Sequence, residues 1–347
     1  MQSETILSKP ILNALAGHAS SSPPLWLMRQ AGRYLPEYRQ LRTQAANFLE
    51  FCFTPDMAIE ATLQPIRRFG LDGAVLFSDI LTIPWGLGQK VEFLQGEGPH
   101  LEALRSADDL GRLQLSGVTE RLSAVYQTVA GVKAKLPQDT ALIGFAGAPW
   151  TVAAYMAEGH GSRDFLVARA WALGDPQGFG KLIDMIVDAT IEHLSAQIAA
   201  GADLVQIFDS WSGVLAEDEF RRWVIEPTRR LVEGLRQCHP TAPIIGFPRG
   251  AGGSLAAYAA ETGVTAVGLD TQVPLNWALS ELPANLPVQG NLDPVALMLG
   301  GRALEEGVAH ILEQTAGRPF IFNLGHGVHQ TTPPENVARL VELVRGR

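Results

Sequence analysis

Cysteine is almost missing from this chain. The two thiols, Cys52 in "FCF" and Cys238 in "QCHP", are too few for a disulfide framework, and neither stands in a CxxC or HxC spacing that would collect zinc. Both are read as small buried hydrophobes. No apolar run is long enough to cross a bilayer, and the opening "MQSETILSKPILNALAGHAS" has no basic segment leading into an apolar core. Neither a membrane span nor a signal peptide is expected, and the location is read as cytoplasmic. Positive charge is also in deficit, with 27 Lys and Arg against 36 Asp and Glu for a formal charge of -9. Without a basic stripe interleaved with aromatics, nucleic acid is excluded as a partner and a small molecule is expected.

Against that deficit one stretch stands out, "PPLWLMRQAGRYLPEYRQLR" at 23 to 42, where Arg29 and Arg33 flank a glycine just after an apolar run and Arg39 and Arg42 follow. An acidic surface repels anions at long range, so a basic cluster in such a chain points to a local demand for anion binding. Arg39 is read as a solvated helical residue paired with Glu37 and Glu50.

Hydrophobic residues make up 46% of the 347 positions, enough for a large core. Short Val, Ile, Leu and Phe runs recur along the chain, apolar on both faces as buried parallel strands are. There are eight: 25 to 28, 73 to 77, 141 to 145, 204 to 208, 243 to 247, 265 to 269, 286 to 290 and 319 to 323. Helical periodicity fills the gaps. In "DPQGFGKLIDMIVDATIEHLSAQIAAG" Asp175 is the expected N-cap, Pro176 the first helical residue and Gly201 the stop. "TPDMAIEATLQPIRRFG" repeats the pattern with Thr54, Pro55 and Gly70, and Pro65 should kink it. No Pro/Ser-rich linker divides the chain. The expected fold is therefore α/β, a single (β/α)8 barrel over residues 1 to 347 with additional helices and loop insertions, one of them "EGPHLEALRSADDLGRLQLSG". The alternative is a doubly wound sheet, but no dinucleotide fingerprint follows any strand. The strand ends, which converge on one face of a barrel, carry Arg29 and Arg33, Ser78 and Asp79, "AGAPW", Asp209 and Ser210, Arg249, Asp270, Asn291 and Asp293, and His326.

Those same segments carry a family likeness. "PLWLMRQAGR" and "GFAGAPWTVAAYMAEG" resemble the two signature stretches of the uroporphyrinogen decarboxylase family, and "FSDIL", "IFDSW", "FPRGAG", "QGNLDP" and "FNLGHG" resemble its other characteristic stretches, in unbroken order from about residue 8 to the C-terminus. The resemblance implies a (β/α)8 barrel, a homodimer, and removal of carbon dioxide from the four acetates of uroporphyrinogen III to give coproporphyrinogen III without metal or organic cofactor. Such a substrate carries eight carboxylates, which planar guanidinium forks suit. The resemblance accordingly assigns substrate binding to Arg29, Gln30, Ala31, Gly32 and Arg33, the N-H groups beside Gly32 helping to receive an acetate. It makes Asp79 the catalytic carboxylate, an acceptor for inward pyrrole N-H groups that stabilises a cationic intermediate with Arg29 and Arg33 nearby. Tyr155, Ser210 and His326 become donors to substrate carboxylates, and Phe208 faces the macrocycle.

Each of these residues also has an ordinary structural reading. An Asp after a barrel strand often caps the next helix, a Tyr on an apolar helix is usually core, a Ser after a strand is usually a turn residue and a lone His is more often structural. Position alone does not separate the two for Asp79. Two other functions compete: a corrinoid-type methyltransferase of related architecture, which needs zinc-ligating His and Cys at strand ends, and a tetrapyrrole carrier, which needs no carboxylate under the pyrroles.

Overall fold

The computed structural model describes residues 9–94 and 98–346. Among them are nine strands: β1 (Gly73–Val75), β2 (Val91–Leu94), β3 (Gly98–Leu101), β4 (Ala141–Gly147), β5 (Leu204–Asp209), β6 (Ile244–Pro248), β7 (Ala266–Gly268), β8 (Val288–Leu292) and β9 (Phe320–Leu324). Seven form one parallel sheet in the order β1-β4-β5-β6-β7-β8-β9, with helices between successive strands, while β2 and β3 pair as an antiparallel hairpin outside it. All seven residues of β4 and all five of β6 and β9 are buried, and Asn323 on β9 is the one side chain among them with hydrogen-bonding groups.

The sheet curls. Trp26 Nε1 donates to Gln289 Oε1 at 2.8 Å, and Gln289 Nε2 donates to Gln206 Oε1 at 3.2 Å, so β8 reaches across to β5, three strands away in the sheet order. All three side chains are fully buried, and their bonds offset much of that cost, although Gln206 Nε2 has no partner among the described residues. Outside, the last helix Pro334–Val344 packs beside the first long one, Pro55–Phe69.

Seven of the eight expected strands are therefore present, and the first, at 25 to 28, is the exception. That segment makes one parallel bridge, Leu25 to Phe322, with Trp26 N-H donating to Phe322 O and Phe322 N-H to Pro24 O. On its other side Asp72 N-H donates to Leu25 O, but side chains take the remaining donors: Leu25 N-H goes to Asp72 Oδ2, Leu27 N-H to Gln30 Oε1 and Met28 N-H to Asn323 Oδ1. Carboxylate and amide oxygens thus stand where ladder carbonyls would, and Pro23 and Pro24 have no N-H to offer. The structure shows an α/β fold with a curled seven-stranded parallel sheet, flanked by this extended segment.

The expected helix grammar meets the coordinates with one change. Asp175 Oδ1 accepts from Gly178 N-H at the start of Pro176–Ala199, and Gly70 closes Pro55–Phe69 in the left-handed conformation at φ 63°. Thr54 stands at the cap position, yet its hydroxyl donates backwards to Glu50 O and caps nothing. The helix continues through Pro65 to Phe69. The insertion at 97 to 117 holds β3 and a 3-10 helix, Ala107–Arg112, closed by a capping box between Ser106 and Asp109. Cys52 is buried as expected; Cys238 is exposed, standing as the last residue of the helix Glu226–Cys238.

Candidate active site

Arg29 occupies the turn after the extended segment at φ 61°, a left-handed conformation that costs a non-glycine residue about 1–2 kcal/mol. The surroundings hold it there. Gln30 is buried, its Oε1 accepting from Leu27 N-H and its Nε2 donating to Gly73 O, so its side chain anchors the turn to β1 and is turned inward. Tyr34 hydroxyl donates to Gln30 O at 2.8 Å. Ala31 rests partly buried against the core, and at Gly32 a Cβ would come to 3.1 Å from Arg29 O. Gly327 makes room on the other side: a Cβ there would lie 2.3 Å from Arg29 Cδ.

Neither Arg29 nor Arg33 has an ion-pair or side-chain hydrogen-bond partner among the described residues, and both are exposed. Arg39 corrects its expectation. It does not pair with Glu37, which binds Arg68, or with Glu50, which accepts from Ala46 N-H; its guanidinium donates to Arg33 O and Tyr34 O and so braces the chain beneath Arg33.

Asp79 follows β1 in a half-buried position. Oδ1 accepts from Leu81 N-H at 2.8 Å, a local turn just ahead of the helix Thr82–Gly86 and not its N-cap, and no hydrogen bond to Oδ2 comes from the described residues. One oxygen is thus tied to the backbone and the other carries no such bond. Burial holds this carboxyl above the ordinary aspartate range, against the Leu81 N-H and the Arg29 charge, which both pull it down.

Tyr155 stands on the helix Pro149–Glu158 that follows β4, within the electrostatic reach of both Asp79 and Arg29. Burial raises its phenol further, and its oxygen accepts from Trp211 Nε1 at 3.1 Å. The phenol proton is therefore free to be given away. Phe208, on β5, meets Phe145 and Phe247 edge-on, with ring centres 5.5 and 6.0 Å apart. Ser210, next past β5, has no side-chain partner among the described residues; its carbonyl accepts from Arg249 at 3.4 Å.

His326 lies past β9. Gly327 N-H donates to its Nδ1 at 2.7 Å, which leaves the ring proton on Nε2. Burial, with the charges of Arg29 and Arg249, pushes its pKa down to about 4, so the ring is a neutral N-H donor at physiological pH. Gly325 before it is required by close approach, since a Cβ would lie 2.3 Å from Thr271 N.

Arg29 is thus the charge that Asp79, Tyr155 and His326 all feel, whereas Arg33 acts on none of the three. Other strand-end residues serve the scaffold: Asp270 accepts from Gly250 and Gln272 N-H, Asn291 donates to Asp270 O and Val273 O, and Asp293 caps the helix Pro294–Leu299. Two residues bordering the site, Trp211 and Thr151, were not singled out from sequence, and Arg249, whose charge acts on His326, was placed at a strand end without a role. Thr151 could have been found, because it precedes Tyr155 by four and so shares its helix face. Among the described residues no group of three His, Cys, Asp or Glu gathers where it could hold a metal.

Comparison with known proteins identifies the family. A sequence model described as uroporphyrinogen decarboxylase (URO-D) matches residues 7–347. Curated relatives named uroporphyrinogen decarboxylase include one from Rhodospirillum rubrum, 53% identical over 97% of both chains. Another, from Novosphingobium aromaticivorans, is 55% identical over 97% of this chain and 98% of its own. Among solved structures, a methyltransferase from Methanosarcina mazei superposes with a TM-score of 0.82 over 98% of each chain at 18% identity, a likeness of fold alone. With a match this long and relatives this similar, the chain belongs to the uroporphyrinogen decarboxylase family.

Proposed function

We infer that this protein is a carboxy-lyase of tetrapyrrole synthesis, converting the four acetates of uroporphyrinogen III to methyl groups and releasing coproporphyrinogen III and four molecules of carbon dioxide. The observation that carries the mechanism is Asp79, with Oδ1 anchored to Leu81 N-H and no hydrogen bond to Oδ2 among the described residues.

Losing carbon dioxide from an acetate leaves an electron pair that needs a sink. Protonating a ring carbon of the electron-rich pyrrole creates one within the substrate: the C–C bond to the carboxylate breaks, its electrons flow into the ring cation, and carbon dioxide departs. The exocyclic carbon then takes a proton to become methyl while the ring carbon gives one up. No external electron carrier is required by this balance. The protein's task is to stabilise the cation, and an ionised carboxylate in a water-poor position does so most effectively. Asp79 Oδ2 accepts the pyrrole N-H groups that converge beneath a flexible porphyrinogen. Arg29 binds a substrate carboxylate and helps keep Asp79 ionised, Arg33 extends the cationic rim, and the peptide groups of Gln30, Ala31 and Gly32 line that side. Tyr155, Ser210 and neutral His326 donate to further carboxylates, and Phe208 supports the macrocycle. The decisive experiment is anaerobic turnover of uroporphyrinogen III with detection of coproporphyrinogen III and carbon dioxide; binding without turnover would mark a carrier instead.

The finer architecture belongs to the same reading. The extended segment at 24 to 28, bonded to β9 on one side and to Asp72 on the other, serves as the eighth stave of a closed, single-domain (β/α)8 barrel. The working unit is a cytoplasmic homodimer.

A further inference from the structure

Behind Tyr155 lies a run of hydrogen bonds whose direction is fixed by chemistry. Trp211 Nε1 can only donate, so at 3.1 Å it gives its proton to the Tyr155 oxygen. Trp211 is itself held at three points, with its backbone N-H donating to Thr151 Oγ1 at 3.0 Å, its carbonyl accepting from Trp150 Nε1 at 3.0 Å, and its ring tilted onto Phe165. Having accepted from Trp211, the Thr151 hydroxyl donates its own proton to Asp209 Oδ1. Asp209 terminates the run at the end of β5. It is 1% exposed, and its Oδ2 is buried without a partner among the described residues, a costly arrangement for a residue that does nothing. Burial pushes its pKa up to about 7, and Oδ1 accepts whether or not the group is protonated.

We propose that Asp209, Thr151 and Trp211 are positioning residues that orient the Tyr155 phenol so that its O-H is directed to a substrate carboxylate. Each link consumes one donor and one acceptor, and the last free proton in the sequence is the phenol's. A Tyr155 without the indole donor could satisfy its oxygen by turning its own proton elsewhere; with the donor in place the outward O-H is the economical state. The proposal rests on Tyr155 touching substrate, and it adds to that reading the residues that decide which way the tyrosine faces. Thr151 shares the Tyr155 helix, so the site's donor and its support are carried by one rigid element.

The test is a set of coupled substitutions in the full chain, assayed by kcat and KM for uroporphyrinogen III with thermal unfolding as the fold control. Thr151→Val keeps the shape and removes the relay, and should lower kcat/KM by about tenfold. Thr151→Ser should restore it to within about twofold. Trp211→Phe, which keeps an aromatic ring beside Phe165 while deleting the indole N-H together with part of the ring's volume, should match Thr151→Val and, with its melting temperature measured, remains decisive if the valine variant melts. In a Tyr155→Phe background both losses should shrink below about twofold, because there is no hydroxyl left to orient. Full multiplicative losses in that background would overturn the proposal, as would unchanged kinetics in folded Thr151→Val and Trp211→Phe. Normal kinetics of Tyr155→Phe alone would remove Tyr155 from the site and with it this proposal, while wild-type turnover would still stand for the decarboxylase reading.

Discussion

At the scale of residues, Arg29 sets two demands in opposition. Its left-handed backbone suits glycine and its guanidinium suits a carboxylate, and the presence of arginine is what the proposed binding role explains. Arg29→Gly should therefore unfold at higher temperature than Arg29→Ala, by an amount equivalent to about 1 kcal/mol, while both lose substrate affinity by roughly tenfold to a hundredfold for the missing charged hydrogen bonds. Calorimetry and substrate titration would separate the effects. Asp79 and Arg29 are also coupled through pH. Because the mechanism needs ionised Asp79, kcat/KM should be full above its pKa in the free protein and fall as pH drops through it, and burial places that acid limb above the ordinary aspartate range. Arg29→Met removes a charge that lowers this pKa, so the limb should move to higher pH; a limb that stays put would show that Arg29 does not act on Asp79. The arginines were visible in the sequence as basic residues in an acidic chain. What stayed hidden was Arg29's conformation, because the turn is imposed by Gln30, Tyr34 and Gly327 and not by any residue preference of its own.

The elements explain which parts of the fold were legible. Strands β1 and β4 to β9 are sheathed on both faces, so each appears in the sequence as an apolar run bounded by turn residues, and each was recognisable. The segment at 25 to 28 carries the same signature, but the side chains of Asp72, Gln30 and Asn323 take the donors that a ladder would use, and such distant partners leave no local trace. The hairpin of β2 and β3 escaped for the opposite reason: it stands outside the buried sheet, and residues such as Glu92 and His100 interrupt any apolar run. Past β9 the two glycines around His326 do different work, and a pair of substitutions distinguishes them. Gly325→Ala meets immovable backbone at Thr271 and should destabilise the fold by about 1–3 kcal/mol. Gly327→Ala meets the Arg29 side chain, which can move aside, so it should raise KM with a smaller effect on the melting temperature. Equal melting losses for the two would contradict this division.

For the whole molecule, a formal charge of -9 and an octacarboxylate substrate are compatible only if cationic groups are concentrated where the ligand docks. The arrangement found has Arg29 and Arg33 without acidic partners among the described residues, while Arg67, Arg229 and Arg339 are neutralised in exposed ion pairs elsewhere. Affinity should weaken as salt rises, and Arg33→Ala should flatten that dependence without altering the fold. Sedimentation at micromolar concentration should give a dimer, and a stable monomer would contradict the proposed working unit. The most direct measurement is anaerobic turnover by Asp79→Asn beside wild type, with circular dichroism to confirm that both are folded. Asparagine keeps the Oδ1 that accepts from Leu81 but replaces the free, charged oxygen with an amide nitrogen, so a folded protein that binds uroporphyrinogen III and forms almost no coproporphyrinogen III is expected. Near-normal turnover by folded Asp79→Asn would contradict the role of Asp79 and the cation-stabilising mechanism with it.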